Sequence, residues 1–187
     1  YEWGRKPHMI GPKTMFLYKE LTNIASTLLS WIQKNSPENV SKLFSVPLKD
    51  MIYKSQYNLL RIIHYPPLSG NEELNSIRAA AHEDINLLTV LVAGSQPGLQ
   101  VLDNNENWLD VTTDKNTIVI NSGDMLNMAS DNYYPSTTHR VINPDPHSNV
   151  SRYSMPLFLH PRDEVVLNEN YTAGTYLQER LEEIGLK

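Results

Sequence analysis

A helical pattern of apolar residues stands near the start of the chain. Apolar side chains three or four positions apart lie on one face of a helix. Residues 14–35 contain five of them at this spacing: Leu17, Leu21, Ile24, Leu28 and Ile32. A serine, a proline and a glutamate follow at positions 36–38, which is an order that starts helices. We therefore predict a helix over residues 14–35 and a short helix from 37 to about 44, after an irregular lead-in over residues 1–13.

The middle of the chain has the pattern of many short strands. Runs of β-prone, largely apolar residues bounded by turn residues predict strands. These runs are residues 56–65, 77–81, 87–93, 99–102, 108–111 and 117–120, the segment around His139, and residues 151–159. Residues 125–129 fit either a strand or a short helical turn. The run over 56–65 predicts a buried strand. Pro66 and Pro67 end this strand, because proline has no N–H to donate to a ladder.

A second apolar stripe closes the chain and completes the predicted architecture. Residues 175–184 carry four side chains on one helical face: Tyr176, Leu177, Leu181 and Ile184. Gly185 is the expected stop of this helix. The length of 187 residues suits a single domain over residues 1–187. Many short strands between two helical regions predict a mainly β fold, a sandwich or jelly roll over about 56–167 with helices packed on one outer face.

Composition excludes several functional classes. Apolar residues make up 40% and charged residues 20% of the chain, which is typical of soluble globular proteins. The net charge of −5 offers no basic surface for nucleic acid, and no apolar run approaches the roughly 20 residues that span a bilayer. The chain has no cysteine, so it has neither disulfides nor thiolate metal ligands. We therefore predict a cytoplasmic protein without nucleic-acid or membrane partners, and leave its oligomeric state open.

Three polar side chains form a candidate metal site. His82 and Asp84 are two positions apart, so in an extended segment they point to the same face. His139 follows from a strand-like segment later in the chain. Alone, each of these residues would usually be a solvated group or a hydrogen-bonded core histidine. Together, two histidines and one carboxylate on one face are the ligand set of non-haem Fe(II) oxygenases.

A candidate carboxylate site follows on the strand predicted over residues 151–159. Arg152 and Ser154 are again two positions apart and therefore share a face of that strand. The guanidinium fork of arginine matches a carboxylate with two parallel hydrogen bonds, and a neighbouring hydroxyl adds a further one. Glu83, which lies between the two ligands of the first pair, points the other way and has no predicted catalytic role.

These motifs, in this order, resemble the 2-oxoglutarate/Fe(II)-dependent dioxygenases, in their isopenicillin N synthase-like branch. The resemblance covers roughly residues 56–167. The segments that carry it, besides the metal ligands, are residues 60–67, 98–101, 121–124 and 152–158. It implies a double-stranded β-helix, the cupin-like form of the jelly roll, with the metal inside one open end. The family usually has a further N-terminal region before this core, so we expect the chain to be a fragment.

The resemblance also implies an activity and the residues for it. Fe(II) would be held by the three candidate ligands, and 2-oxoglutarate would bind it through its C1 carboxylate and keto oxygen. The C5 carboxylate would lie on Arg152 and Ser154, with help from Tyr65. As a residue type, Tyr65 fits equally well as a packed tyrosine at a strand end. Reaction with O2 would oxidise a small-molecule substrate and release succinate and CO2.

Two alternatives to a 2-oxoglutarate-dependent oxygenase remain open. The Arg-x-Ser motif also occurs in enzymes of this branch that use no 2-oxoglutarate, including isopenicillin N synthase and aminocyclopropane carboxylate oxidase. There it binds a substrate carboxylate or supports another reductant, so the chain could be an oxidase or cyclase of that type. The other alternative is a non-catalytic metal-binding module on the same scaffold. Succinate release distinguishes a 2-oxoglutarate-dependent oxygenase from both alternatives.

Overall fold

The computed structural model describes residues 2–3, 11–112, 114 and 116–186. Within these residues there are ten β-strands and five α-helices. The strands are β1 (Glu2–Trp3), β2 (Leu59–Arg61), β3 (Ile63–Tyr65), β4 (Ala79–His82), β5 (Leu88–Val92), β6 (Leu99–Leu102), β7 (Trp108–Asp110), β8 (Ile118–Ser122), β9 (His139–Val141) and β10 (Arg152–Leu159). The helices are α1 (Pro12–Asn35), α2 (Glu38–Ser41), α3 (Leu48–Met51), α4 (Asp124–Ala129) and α5 (Ala173–Glu183).

Two antiparallel sheets face each other. The major sheet has the order β1-β2-β10-β5-β8, with β3 also paired to β10, and the minor sheet has the order β4-β9-β6-β7. Leu91 of the major sheet packs between the sheets against Leu99 and Val141 of the minor sheet. This is the predicted jelly-roll arrangement.

Helices cover the other face of the major sheet. Leu21 and Leu29 of α1 are buried in one cluster with Val90 of β5 and Leu157 of β10. Val90 and Leu157 are also direct cross-strand partners, so the sheet presents a continuous apolar surface to the helix. The helix that the apolar spacing predicts therefore forms and buries its apolar face, as expected. Among the described helices, none has the length and apolarity needed to cross a membrane.

The predicted bounds of three helices need correction, and one further helix is present. Helix α1 begins at Pro12, so the predicted irregular lead-in does not extend to residue 13. Strand β1 lies within the predicted lead-in as well. Residues 1 and 4–10 of the lead-in are outside the described part of the chain. Helix α2 is shorter than the predicted 37–44. Helix α3, which starts after Pro47, is not among the predicted elements. Helix α5 spans Ala173–Glu183 instead of the predicted 175–184. Gly185 follows it as the expected stop, with φ of 73° and its N–H donating to the carbonyl of Glu182.

The strand predicted over residues 56–65 is broken into β2 and β3. Both pieces pair with β10 in the same register, which leaves Arg61 and Ile62 opposite Pro156 and Met155. Proline has no N–H to donate, and the ladder between β10 and β5 on the other side is continuous. The missing N–H of Pro156 therefore interrupts the ladder between β10 and the segment that contains β2 and β3. The prediction of a buried strand is also wrong for β3, none of whose three residues is buried.

Candidate metal centre and carboxylate site

The three predicted metal ligands come together where β4 meets β9, with His82 exposed, Asp84 buried and His139 partly buried. His82 at the end of β4 and His139 at the start of β9 are cross-strand partners in the minor sheet. Asp84 lies two residues beyond β4 and turns inward, with only 6% of its surface exposed. Its Oδ1 atom is 3.9 Å from Nε2 of His82 and 3.7 Å from Nε2 of His139. All three ligand atoms lie within 4.8 Å of one another, so small side-chain movements let one ion reach them all.

Backbone carbonyls fix which nitrogen of each histidine is free. Nδ1 of His82 is 2.8 Å from the carbonyl oxygen of Ala80, and Nδ1 of His139 is 2.9 Å from that of Thr137. A carbonyl oxygen can only accept, so each Nδ1 carries a proton, and in the neutral imidazole the lone pair is then on Nε2. Both Nε2 atoms lie near Asp84, so a metal ion at this place would find two imidazole nitrogens and one carboxylate oxygen. That donor set suits Fe(II) and other divalent first-row metals.

Two residues outside the predicted site hold the other oxygen of Asp84. Oδ2 accepts hydrogen bonds from the Thr89 hydroxyl at 2.5 Å and from the Asn121 amide at 2.8 Å. Thr89 was available as a signal, because it is the one polar residue in the apolar run 87–93. Glu83 is directed away from the other two side chains and accepts a hydrogen bond from the Thr138 hydroxyl at 2.7 Å.

Arg152 is a buried cation at the start of β10. Its side chain is packed so closely that 1% of the residue is exposed, and its Nε donates to the carbonyl of Gln96 at 3.1 Å. Its Nη1 is buried and has no hydrogen-bond partner among the described residues. Burial lowers the pKa of Arg152 from its ordinary value, and nearby Arg78 acts in the same direction. A carboxylate placed at Nη1 would satisfy this donor and offset the cost of burying the charge.

Tyr65 and Ser154 stand beside this guanidinium. Tyr65 in β3 is the cross-strand partner of Arg152, whose Cζ lies 5.4 Å from the centre of the tyrosine ring. Burial raises the pKa of Tyr65 in spite of the nearby arginines, so its hydroxyl keeps its proton and can donate. Ser154 is also buried and lies two residues further along β10, on the face that carries Arg152.

Strand register places the carboxylate site and the metal centre on the same side of the major sheet. Pro156 of β10 is opposite Leu91 of β5, and alternation puts Arg152 and Ser154 on that same face. Thr89 lies two residues before Leu91 and hydrogen-bonds Asp84. The predicted ligands and the predicted carboxylate-binding residues therefore face one space between the two sheets.

Gly94 fits against Arg152 and gives a test of this placement. A Cβ atom at position 94 would lie 2.8 Å from Nη2 and 3.1 Å from Cζ of Arg152. We expect Gly94→Ala to displace the guanidinium, because the end of a long side chain moves more easily than the backbone. Loss of one hydrogen bond to the bound carboxylate, about 1.5 kcal/mol, would weaken 2-oxoglutarate binding on the order of tenfold. Calorimetric titration of the metal-loaded protein measures this change.

The control for Gly94→Ala is Gly11→Ala. A Cβ at position 11 would meet nothing within 4 Å, and the φ of −63° is ordinary for alanine. Unaltered 2-oxoglutarate affinity in Gly94→Ala would show that Arg152 is not positioned by this contact. Metal content should stay at the wild-type level in both variants.

Comparison with known proteins shows likeness over most of the chain. Residues 56–161 match the family model of the 2OG-Fe(II) oxygenase superfamily. A 2-oxoglutarate-Fe(II) type oxidoreductase of Emericella nidulans is 39% identical over 102 residues, which are 53% of this chain and 28% of that protein. Isopenicillin N synthase of Streptomyces clavuligerus is 25% identical over 188 residues, covering 91% of this chain and 55% of that enzyme. The chain thus spans only part of the length of these curated relatives.

A solved structure is similar over the whole chain. The crystal structure of a candidate oxygenase from Shewanella oneidensis superposes with a TM-score of 0.89 at 52% sequence identity. The match covers 100% of this chain and 71% of that one. The jelly-roll core and the helices that flank it are therefore shared with that protein.

Proposed function

The chain belongs to the 2OG-Fe(II) oxygenase superfamily, and from this premise we propose that it acts as a non-haem Fe(II), 2-oxoglutarate-dependent oxygenase. It oxidises a small-molecule substrate and releases succinate and CO2. One observation carries the proposal beyond family membership. A buried guanidinium with an unpartnered nitrogen, on Arg152, faces the same space between the sheets as the cluster of His82, Asp84 and His139.

The proposed roles follow from what each side chain offers. His82, Asp84 and His139 hold Fe(II) through Nε2, Oδ1 and Nε2 and leave the remaining positions for small ligands. When bound, Fe(II) and 2-oxoglutarate supply the O2-dependent oxidation. Arg152 binds the C5 carboxylate of 2-oxoglutarate through its fork, and Ser154 lies beside it as a further donor.

Charge balance supports 2-oxoglutarate as the ligand. Among the described residues, the fully buried charged side chains are the anion Asp84 and the cation Arg152, and both face the space between the sheets. A divalent metal adds two positive charges, and a dicarboxylate adds two negative ones, so the four groups together are neutral. Burial of a charge is tolerated where it is paired. A ligand with a single carboxylate would leave this site with net positive charge.

A substrate screen with a product readout tests the proposed reaction. The Fe(II)-loaded protein is given 2-oxoglutarate, O2 and each member of a small-molecule library, and succinate is measured. We expect at least one compound to stimulate succinate release, and the same compound to do nothing with His139→Ala. Substrate oxidation that consumes O2 without forming succinate would contradict the 2-oxoglutarate assignment and favour an oxidase of the isopenicillin N synthase type.

The cytoplasmic location stays a prediction that cell fractionation checks.

A further inference from the structure

The Asp84 carboxylate uses its two oxygens differently. Oδ1 faces the two histidines, whereas Oδ2 accepts hydrogen bonds from Thr89 and Asn121. A carboxylate oxygen has about two lone-pair positions for acceptance. Both positions of Oδ2 are therefore occupied by protein donors, and the atom has no free lone pair to offer a metal.

A third side chain fixes the direction of the Thr89 hydrogen bond. The amide of Asn86 lies 2.8 Å from the Thr89 hydroxyl oxygen and donates to it. A hydroxyl has a single proton, and an ionised carboxylate can only accept, so that proton is directed to Asp84. Asn86 and Thr89 are both buried, with 1% and 3% of their surface exposed. The three residues form a relay of hydrogen bonds with one permitted orientation, away from competing water.

Rigid elements carry both donors. Thr89 in β5 and Asn121 in β8 are direct cross-strand partners within the continuous ladder that joins these two strands. The segment that bears Asp84 is pinned as well, because its carbonyl accepts from the N–H of Asp124 at 2.8 Å. Gly123 permits this contact, since a Cβ there would lie 2.6 Å from that same carbonyl oxygen. The donors and the carboxylate are thus held in place independently of any metal.

We propose that Thr89 and Asn121 are positioning residues that restrict Asp84 to one-oxygen metal binding through Oδ1. The inference rests on the proposed metal site. By occupying Oδ2, the two donors prevent the carboxylate from chelating the ion with both oxygens, and they orient Oδ1 towards the two Nε2 atoms. One ligand position that a chelating carboxylate would take is thereby kept for 2-oxoglutarate or O2. Asn86 supports this arrangement through the Thr89 hydroxyl.

Cobalt binding provides a readout that does not depend on activity. Co(II) is titrated into the metal-free protein, and its visible bands give both the dissociation constant and the coordination environment. Thr89→Val keeps the shape of the side chain and removes the hydroxyl, while Asn121→Leu removes the amide. Outer partners of metal ligands typically contribute about 10–100-fold in affinity, so we expect a loss in that range for each variant, with altered band intensity. Thr89→Ser restores the hydroxyl and should restore both readouts.

Thr138→Val is the matched control. Thr138 also donates its hydroxyl to a carboxylate, and it lies next to a ligand, but its partner is Glu83. We expect wild-type Co(II) affinity and spectrum in this variant. An equal loss in Thr138→Val would overturn the inference, because it would show a general disturbance of the region.

The remaining outcomes separate this inference from the metal site itself. Wild-type affinity and spectrum in both Thr89→Val and Asn121→Leu would overturn the positioning role and leave the metal site standing. Failure of the wild-type protein to bind Co(II) would overturn both. Thermal unfolding of the metal-free variants checks folding. Should Thr89→Val not fold, Asn121→Leu decides alone, because Asn121 is only partly buried on an edge strand.

Discussion

Arg152→Leu is expected to weaken 2-oxoglutarate binding by about 10²–10⁴-fold while the protein keeps its metal. Arg152 is 1% exposed, and its Nη1 has no partner among the described residues. Removing one partner of a buried charge pair costs about 3–5 kcal/mol, because the other charge stays buried without compensation. Here the remaining charge would be the C5 carboxylate of 2-oxoglutarate. Titration calorimetry of the metal-loaded protein, together with metal analysis, measures both parts of this expectation.

Ser154→Ala is the graded comparison for Arg152→Leu. It removes one hydrogen bond to a charged group, worth roughly 1.5–3 kcal/mol, so its loss of affinity should be smaller, about 10–100-fold. Arg152→Lys should also fall short of wild type, since an ammonium group cannot form two parallel hydrogen bonds. Equal 2-oxoglutarate affinity in wild type and Arg152→Leu would show that the carboxylate binds elsewhere.

His139→Ala is expected to abolish stoichiometric metal binding. Nε2 of His139 is one of three donor atoms that converge within 4.8 Å, and Nδ1 is committed to the carbonyl of Thr137. Loss of an outer partner alone costs about 10–100-fold in metal affinity, so loss of a direct ligand should cost more than about 100-fold. Elemental analysis after loading with Fe(II) under exclusion of O2, followed by gel filtration, measures the bound metal.

A histidine away from the site serves as the control for that experiment. His147 is exposed in the 3₁₀ turn Pro146–Ser148, so His147→Ala should load with metal as the wild type does. Equal metal content in His139→Ala and wild type would remove His139 from the ligand set. The three-ligand assignment would then be wrong whatever the activity of the protein.

The convergence of the three candidate ligands could be predicted from the sequence because it depends on local spacing and chain order. A separation of two residues brings side chains to one face of an extended segment, and this holds for Arg152 and Ser154 in β10. For His82 and Asp84 the mechanism differs in detail. The strand ends at His82, and Asp84 reaches the site from the following loop, held there by the N–H of Asp124.

The supporting residues could not be predicted in the same way. Thr89 and Asn121 are far apart in the chain, and their convergence on Asp84 depends on the register between β5 and β8. Gly94 meets Arg152 only through the packing of a loop against β10. Short-range periodicity carries no information about such register or packing. The break at Ile62 has the same origin, since the cause is Pro156 on a partner strand.

Binding of 2-oxoglutarate to the metal and to Arg152 is tested most directly by an anaerobic titration of 2-oxoglutarate into the Fe(II)-loaded protein. Visible absorption monitors the titration. Binding of the cosubstrate to the metal gives a weak charge-transfer band. We predict that this band forms in the wild type and saturates at one equivalent per chain, and that Arg152→Leu needs about 10²–10⁴-fold more 2-oxoglutarate to form it. Absence of the band in the wild-type protein, or its formation with equal affinity in Arg152→Leu, would contradict the proposed binding of 2-oxoglutarate. Either result would favour an oxidase that uses no 2-oxoglutarate.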